Sequence, residues 1–426
     1  MMTTMARRAL LSLLLIVPAA VLRAQELPVA PAGADDFAKQ LAEEGIRLDL
    51  ARREVTVRGD LLLRRDRSGE YPVEYGIVAE GGRAHEAFGI VHCTPSRLNA
   101  CFLALGLAPG RPRHRVAREP MPVDADLEQG LELPWRLVSP EGDRVFLYVT
   151  WKEPGADPAA APVVRAFEDF FRDARVMKPL PMRGFVFVGS RFEERPAPGE
   201  KKRLYVADYA RDLLSLRPDK VPAEDCLFDV YSREDEPYLW ADADFEQLPP
   251  EGVALEFLFT LAPRPEARAY EPESEPKPIE LPAVKALLAG SNHPNLDARH
   301  AEWIERLGTR DLAALAGILE RGRQPELREV VAAALGASGK AEAIGPLQLS
   351  LRFDRAADVR LASAFSLAQL GSDAALGALI DVIDWAGPVV RDDAVTALRY
   401  ASGEDFGIKA LPWRSWLARR GADKKK

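Results

Sequence analysis

A repeat in the C-terminal third of the chain limits its fold more than any other feature. Three segments align: PELREVVAAALGASG from Pro325, ADVRLASAFSLAQLG from Ala357 and PVVRDDAVTALRYASG from Pro388. A repeat of this length with apolar residues at helical spacing indicates helical hairpins that stack side by side. Since a single hairpin cannot bury its own apolar face, each hairpin depends on its neighbours for a core.

Two positions mark the register of the repeat. An arginine recurs at intervals of 32 and 31 residues, and a leucine follows each arginine by seven residues. These residues are Arg328, Arg360 and Arg391, followed by Leu335, Leu367 and Leu398. We expect the leucines to lie between neighbouring helices. An arginine at a helix start opposes the helix dipole, so we expect it to contact an acid or a carbonyl of the adjacent repeat. Asp358 and Asp392 are the local candidates, and a ligand-binding groove lined by these arginines is the alternative.

The pattern resembles the HEAT-repeat family. Its marks are the turn Asp358–Val359–Arg360, the small residues that follow it, and the Leu-Gly close of the helix. The resemblance implies a right-handed solenoid over residues 290–420 that binds another protein through its concave face. The segment Ser402–Leu417 resembles the close of some bacterial HEAT arrays, and Trp413 and Trp416 are spaced to cover the last repeat as a cap. An unrelated helical bundle is the alternative.

The N-terminus has the pattern of a secretory signal peptide. Arg7 and Arg8 precede an apolar run from Ala9 to Leu22, and the small residue Ala24 comes next before a polar stretch. We expect cleavage after Ala24 and a periplasmic or secreted protein. An uncleaved anchor is the alternative. We expect no transmembrane segment after removal of residues 1–24, because no later stretch is long and apolar enough.

The charge distribution argues against nucleic acid as a partner. Residues 1–24 hold three arginines and no acid, so their removal takes the net charge from −8 to −11. Residues 25–289 carry 35 basic and 47 acidic side chains, and residues 290–426 carry 19 and 18. Neither part has the basic footprint that nucleic-acid binding requires.

Residues 46–262 show the two-residue alternation of strands, broken by Gly, Pro and Asp. One helix is predicted after Thr94, a second over Val163–Phe171, and a long loop over residues 111–134. The prediction is an α+β multi-domain chain, with a β-rich N-terminal domain of one or two subdomains and an all-α C-terminal array. Around these domains we place a lead-in segment, a proline-rich acidic linker and a tail: residues 25–45, 263–289 and 421–426.

The β-rich region resembles the YdjY-like domain family, whose members are exported bacterial proteins of no established activity. The iron–sulfur cluster associated with some members does not carry over, because a cluster takes about four cysteines and this chain has three. No cofactor is expected. The segments that carry the resemblance are Gly45–Leu63, Gly81–Ile90, Thr94–Gly110, Phe185–Ser190, Tyr205–Asp208 and Leu248–Phe259.

Few residues suggest chemistry. His85, Glu86 and His92 are the only local group of ligand-type side chains, but zinc sites need three or four convergent ligands. Ser190 follows a glycine, yet the G-x-S-x-G pattern of a nucleophile turn is absent. Cys93 and Cys101 are eight residues apart, and spacing alone leaves open whether they are bridged. No catalytic residue is assigned.

The sequence therefore predicts an exported, non-catalytic binding or scaffold protein whose partner is another envelope or secreted protein. The alternative is an envelope enzyme or metal carrier with its site near His85, Glu86 and His92. Three or more of these groups facing one pocket would favour the alternative.

Overall fold

The structure is a computed structural model. It describes residues 34–63, 73–157, 159–173, 178–197, 200–216, 223–230, 241–245, 247–271, 278–289, 293 and 296–423. The chain divides into two compact units, residues 1–40 and 41–426. Only residues 34–40 of the first unit are described, and they begin helix α1. The predicted signal peptide and the last three residues of the predicted tail lie outside the described residues.

The chain is α+β, with strands concentrated before residue 262 and helices after it, as the sequence predicts. The described strands are β1 (Ile46–Asp49), β2 (Glu54–Leu61), β3 (Tyr75–Ala79), β4 (Ala87–Val91), β5 (His114–Ala117), β6 (Trp135–Val138), β7 (Arg144–Trp151), β8 (Val163–Ala166), β9 (Phe171–Asp173), β10 (Lys178–Pro179), β11 (Phe185–Phe187), β12 (Phe192–Ala197), β13 (Glu200–Tyr205), β14 (Asp212–Ser215), β15 (Phe228–Val230), β16 (Ala241–Ala243) and β17 (Leu255–Thr260). The described helices are α1 (Ala34–Glu43), α2 (Pro95–Ala104), α3 (Asp124–Gln129), α4 (Val206–Ala210), α5 (Val284–Leu288), α6 (Ala301–Leu307), α7 (Leu312–Arg321), α8 (Pro325–Ala337), α9 (Ile344–Phe353), α10 (Ala357–Leu370), α11 (Asp373–Trp385), α12 (Pro388–Ser402) and α13 (Ala410–Asp423).

Eight strands close into a barrel-like sheet in the order β2-β17-β7-β11-β15-β14-β3-β4, and β4 returns to pair with β2. β1 adds to the free part of β2, and β8 adds to β7. The pairs are antiparallel except for β3 with β4 and β14 with β15. Closure removes the long free edges that an open sheet would present to other chains.

Aromatic rings fill the space that the closed sheet surrounds. Phe102 of α2 contacts rings on three strands, with centroids 5.1–5.5 Å apart, at Phe187, Phe228 and Phe259. An eight-stranded barrel is just wide enough for such side chains. Glycine makes room for Phe257, because a Cβ at Gly59 or Gly89 would lie within 2.7 Å of its ring. The interior is therefore a packed core.

Two sequence predictions in this region are wrong. Val163–Phe171 is a strand over Val163–Ala166 and a 3-10 turn over Phe167–Phe170, because the β-branched residues extend and pair with β7. The predicted loop 111–134 contains β5, which pairs with β6, and the short helix α3. The proline and charged residues of this stretch interrupt the apolar spacing from which β5 and α3 could have been predicted.

The helical region forms two layers. α10 packs between α8 and α12 in one layer, while α7, α9, α11 and α13 follow one another in the second. The leucines at the repeated position, Leu335, Leu367 and Leu398, are each 0% exposed and share one hydrophobic cluster. Neighbouring hairpins therefore supply each other's core.

Both ends of the predicted linker 263–289 make packing contacts. The hydroxyl of Tyr148 accepts a hydrogen bond from the backbone N–H of Arg264 at 2.6 Å, and Tyr270 stacks edge-on against Phe146. At the other end, Val284 is buried in the hydrophobic cluster of the helical region. The sequence does not predict these contacts, because the few apolar residues of the linker that pack are scattered among prolines and acids.

A segment of the β-rich region also reaches into the helical region. Leu131 is 1% exposed and lies in the hydrophobic cluster of the helices. Arginines of the helical region hold the backbone and acids around it. These contacts are Arg306 with Ala125 O and Asp126, Arg310 with Glu132, and Arg321 with Leu131 O, at 2.9–3.1 Å. We call residues 124–132 and these arginines the clasp.

Candidate functional site

His92 lies where the sheet closes. Its Nδ1 is 2.5 Å from Glu80 Oε1, and its Nε2 is 2.8 Å from Asp60 Oδ2. Burial lowers the pKa of His92, but hydrogen bonds to Glu80 and Asp60 more than offset it, so the pKa lies above its ordinary value. The two acids face opposite nitrogens of one ring. They cannot meet at one metal ion with that ring, and they join the ends of β2, β3 and β4.

His85 and Glu86 lie apart from this contact. They belong to a 3-10 turn, Ala84–Glu86, which ends just before β4 begins at Ala87. His85 Nε2 is 3.6 Å from Glu86 Oε1. In the described part of the chain, no three His, Cys, Asp or Glu side chains are grouped so that they could hold a metal ion. The candidate ligands His85, Glu86 and His92 therefore do not form such a group.

The three cysteines are free and buried. Burial raises the pKa of Cys101 to about 12 and raises the pKa values of Cys93 and Cys226 above the ordinary thiol value. Such thiols stay protonated near neutral pH, and thiols are poor nucleophiles in that form. They act here as small core side chains.

Ser190 has a left-handed backbone, with φ of 55°, and is 5% exposed. Its hydroxyl donates to Asp225 O at 3.0 Å and accepts from the N–H of Ala207 at 3.2 Å. The hydroxyl is thus used in both hydrogen-bonding roles, and it joins the segment after β11 to the 3-10 turn Ala223–Asp225 and to α4.

Glu168 is a perturbed group that sequence reasoning missed. It is 4% exposed, in the turn between β8 and β9, and burial raises its pKa to about 7. One carboxyl oxygen accepts from the N–H of Gly184 at 3.0 Å, while Oε2 has no hydrogen-bond partner. The sequence Phe-Glu-Asp-Phe gave no sign that the acid would be buried, because acids are rarely buried without a partner.

The repeated arginines of the helical region each contact a carbonyl just after the preceding helix of the second layer. The pairs are Arg328 with Gly322, Arg360 with Asp354, and Arg391 with Ala386, at 2.7, 3.0 and 2.9 Å. The last carbonyls of a helix lack intrahelical partners and carry its negative dipole end. Each arginine therefore lies between two helix ends. The N-terminal end of its own helix disfavours its positive charge, and the C-terminal end of the preceding helix favours it.

The acids beside these arginines are not those suggested by sequence. Arg328 forms a bidentate ion pair with Asp354, at 2.7 and 2.9 Å, and Arg360 lies 3.5 Å from Asp393. Asp358 and Asp392, the acids nearest in sequence, are not the partners of Arg360 and Arg391. They are two residues and one residue away from these arginines, and side chains at such spacings do not face each other on a helix.

The residues of the predicted cap pack at the end of the helical region. Trp413 is 0% exposed and donates from its indole N–H to Gly407 O at 2.9 Å. Its ring meets Phe406 and Trp416 edge-on, with centroids 4.9 and 6.0 Å apart. Helix α13 packs against α11.

A buried pair of polar side chains, His300 and Glu329, joins the start of the helical region to α8. His300 is 0% exposed, and its Nε2 lies 3.1 Å from Oε2 of Glu329, which is itself 2% exposed. Nδ1 of the same ring accepts from the N–H of Asp297 in a capping box. No spacing in the sequence links these residues, because they meet only through packing.

Two large apolar side chains are exposed in the second layer of the helical region. Phe353 at the end of α9 is 47% exposed, and Leu411 in α13 is 75% exposed. Charged residues accompany them on α11 and α13, where Arg414 pairs with Asp381 at 3.0 Å and Asp384 at 2.6 Å. We call these five residues the second-layer face.

No protein-family model, curated protein or solved structure matches this chain. Within the described residues, every helix is too short or too polar to cross a membrane.

Proposed function

We propose that this chain is an exported, non-catalytic binding or scaffold protein, and that its helical region is a HEAT-repeat array that holds another envelope or secreted protein. The repeat of about 32 residues supports this proposal, as do the two helical layers. The region before residue 262 is, in this proposal, a YdjY-like domain that carries the array. Export follows from the signal pattern of residues 1–24.

The second-layer face is the observation that carries the proposal. Leu411, at 75% exposure, lies three residues before Arg414, which pairs with two acids of α11, and Phe353, at 47% exposure, ends α9 in the same layer. Exposed apolar side chains together with charged ones have the composition of a protein interface with a polar rim. Stacked repeats bind partners along one face formed by successive helices. Phe353 and Leu411 would pack against apolar side chains of the partner, and Arg414 would donate hydrogen bonds to an acidic or carbonyl group of the partner.

Capture experiments test this use of the second-layer face. The mature protein, residues 25–426, is immobilised and exposed to an envelope fraction, and a Phe353→Ser/Leu411→Ser variant is treated in the same way. We expect a defined partner to bind the parent protein and to be lost from the double variant. Leu50→Ser is the matched control, because Leu50 is 61% exposed but lies between β1 and β2, outside the helical region. A partner retained equally by the double variant would rule this face out.

Export is tested separately. We expect mass spectrometry of the protein from an envelope fraction to find a mature N-terminus at Gln25. An intact N-terminus at Met1 or Met5 would contradict cleavage after Ala24 while leaving the binding proposal in place.

A further inference from the structure

One face of α12 is open although the same face is covered in the first aligned repeat. Because Arg328 and Arg391 occupy the same repeat position, Asp392 corresponds to Glu329, and Arg399 corresponds to Gly336. Glu329 is buried under His300. Gly336 lies against α10, where a Cβ at the glycine would come within 2.7 Å of Ser366 Cβ. In the first aligned repeat this face is therefore used for packing.

In α12 the face is a continuous exposed stripe. Its residues are spaced by three or four positions and so lie on one side of the helix: Val389, Asp392, Thr396, Arg399 and Tyr400, all exposed. Val389 and Tyr400 are among the most exposed large apolar residues, at 60% and 62%. The opposite side holds Ala394, Val395, Ala397 and Leu398, which are buried.

The stripe is complementary to itself. An acid, Asp392, and a base, Arg399, lie almost equally far from the small residue Thr396. When two such helices run antiparallel and cross at Thr396, each acid faces the base of the other helix. The apolar ends Val389 and Tyr400 flank these pairs. A two-fold interface requires this kind of self-complementary patch.

We propose that the stripe is covered in solution by the same stripe of a second copy of this chain, with the two α12 helices antiparallel about a two-fold axis at Thr396. Asp392 pairs across the axis with Arg399 of the partner subunit. Arg399 now pairs with Asp405 of its own chain at 2.9 Å, but both side chains are exposed, so this pair is weak and exchangeable. The contact does not depend on the second-layer face or on its partner.

Sedimentation analysis of the mature protein over a range of concentrations tests the proposal. A single helical stripe is a small interface, so we expect reversible dimers with a dissociation constant on the order of 10 μM. Asp392→Arg and Arg399→Asp should each weaken dimerisation at least tenfold, because like charges then face each other. The combined Asp392→Arg/Arg399→Asp variant should restore it. Ser415→Arg, at an exposed position of α13, is the control that should leave dimerisation unchanged.

Circular dichroism and thermal melting check that each variant is folded, which matters for Arg399→Asp because the new acid faces Asp405.

Three outcomes would overturn the proposal. The parent protein could stay monomeric to concentrations on the order of 100 μM. Dimers could persist unchanged in both single variants, which would place the interface elsewhere. The combined variant, if folded, could fail to recover dimerisation, which would exclude the Asp392–Arg399 pairing.

Discussion

Glu168 is a residue at which a single proton should change stability. Its pKa is raised by burial from an ordinary value of 4.5 to about 7. The folded chain therefore keeps a proton that the unfolded chain releases between these values, so stability falls as pH rises across that window and is level above it. This rise in the pKa of Glu168 corresponds to a decrease of about 3 kcal/mol in the free energy of unfolding across that window.

The prediction is that Glu168→Gln removes this loss. The variant keeps an oxygen to accept from the N–H of Gly184 and cannot ionise, so its stability relative to the parent should grow as pH rises from 4.5 to 7. Urea unfolding at a series of pH values measures the difference. Glu251→Gln, at an exposed turn residue, is the control and should show no such trend. A constant difference between Glu168→Gln and the parent at all pH values would show that Glu168 does not titrate in this window.

At the scale of single elements, periodic elements were predicted well and short ones poorly. The helices around Leu335, Leu367 and Leu398 were found because a face buried between neighbours imposes a spacing that the sequence must show. Helix α3 was missed because it has six residues and one apolar anchor comes just after it, at Leu131. The burial of Glu168 and of the His300–Glu329 pair depends on segments distant in sequence, so no local pattern encodes it.

Arg360 is predicted to hold two hairpins together. Its guanidinium donates to the carbonyls of Asp354 and Arg355 at the end of α9 and lies 3.5 Å from Asp393 of α12. Arg360→Ala should therefore lower the melting temperature, because it leaves helix-end carbonyls without a donor. Differential scanning calorimetry gives the shift. Arg355→Ala is the matched control, since the Arg355 side chain is exposed in the same turn.

Leu367→Ala gives the scale for this measurement, because truncating a fully buried leucine costs about 2–5 kcal/mol and Leu367 is 0% exposed. If Arg360→Ala melts like the parent and loses its binding partner instead, the repeated arginines line a binding groove and the structural role is wrong.

For the molecule as a whole, the proline-rich linker and the clasp have opposite effects on whether the β-rich and helical regions stay together after proteolysis. The composition of residues 264–282 predicts that proteolysis there separates the chain into two folded parts. The clasp adds a non-covalent joint between those parts, since Leu131 is 1% exposed among the helices and Arg306 and Arg310 pair with Asp126 and Glu132. Cutting the linker should therefore break the chain without releasing the helical region.

A protease recognition sequence placed within residues 272–277 tests this joint. After cleavage, we expect the two fragments of the parent protein to elute together in gel filtration. Leu131→Asp should make them elute apart, because the substitution places a charge among buried leucines of the helical region. Val123→Asp is the control, since Val123 is 64% exposed just before α3 and its change should leave the fragments together. Fragments of the parent protein that separate on cleavage would show that the clasp is too weak to join the two regions, and the linker alone would then hold them together.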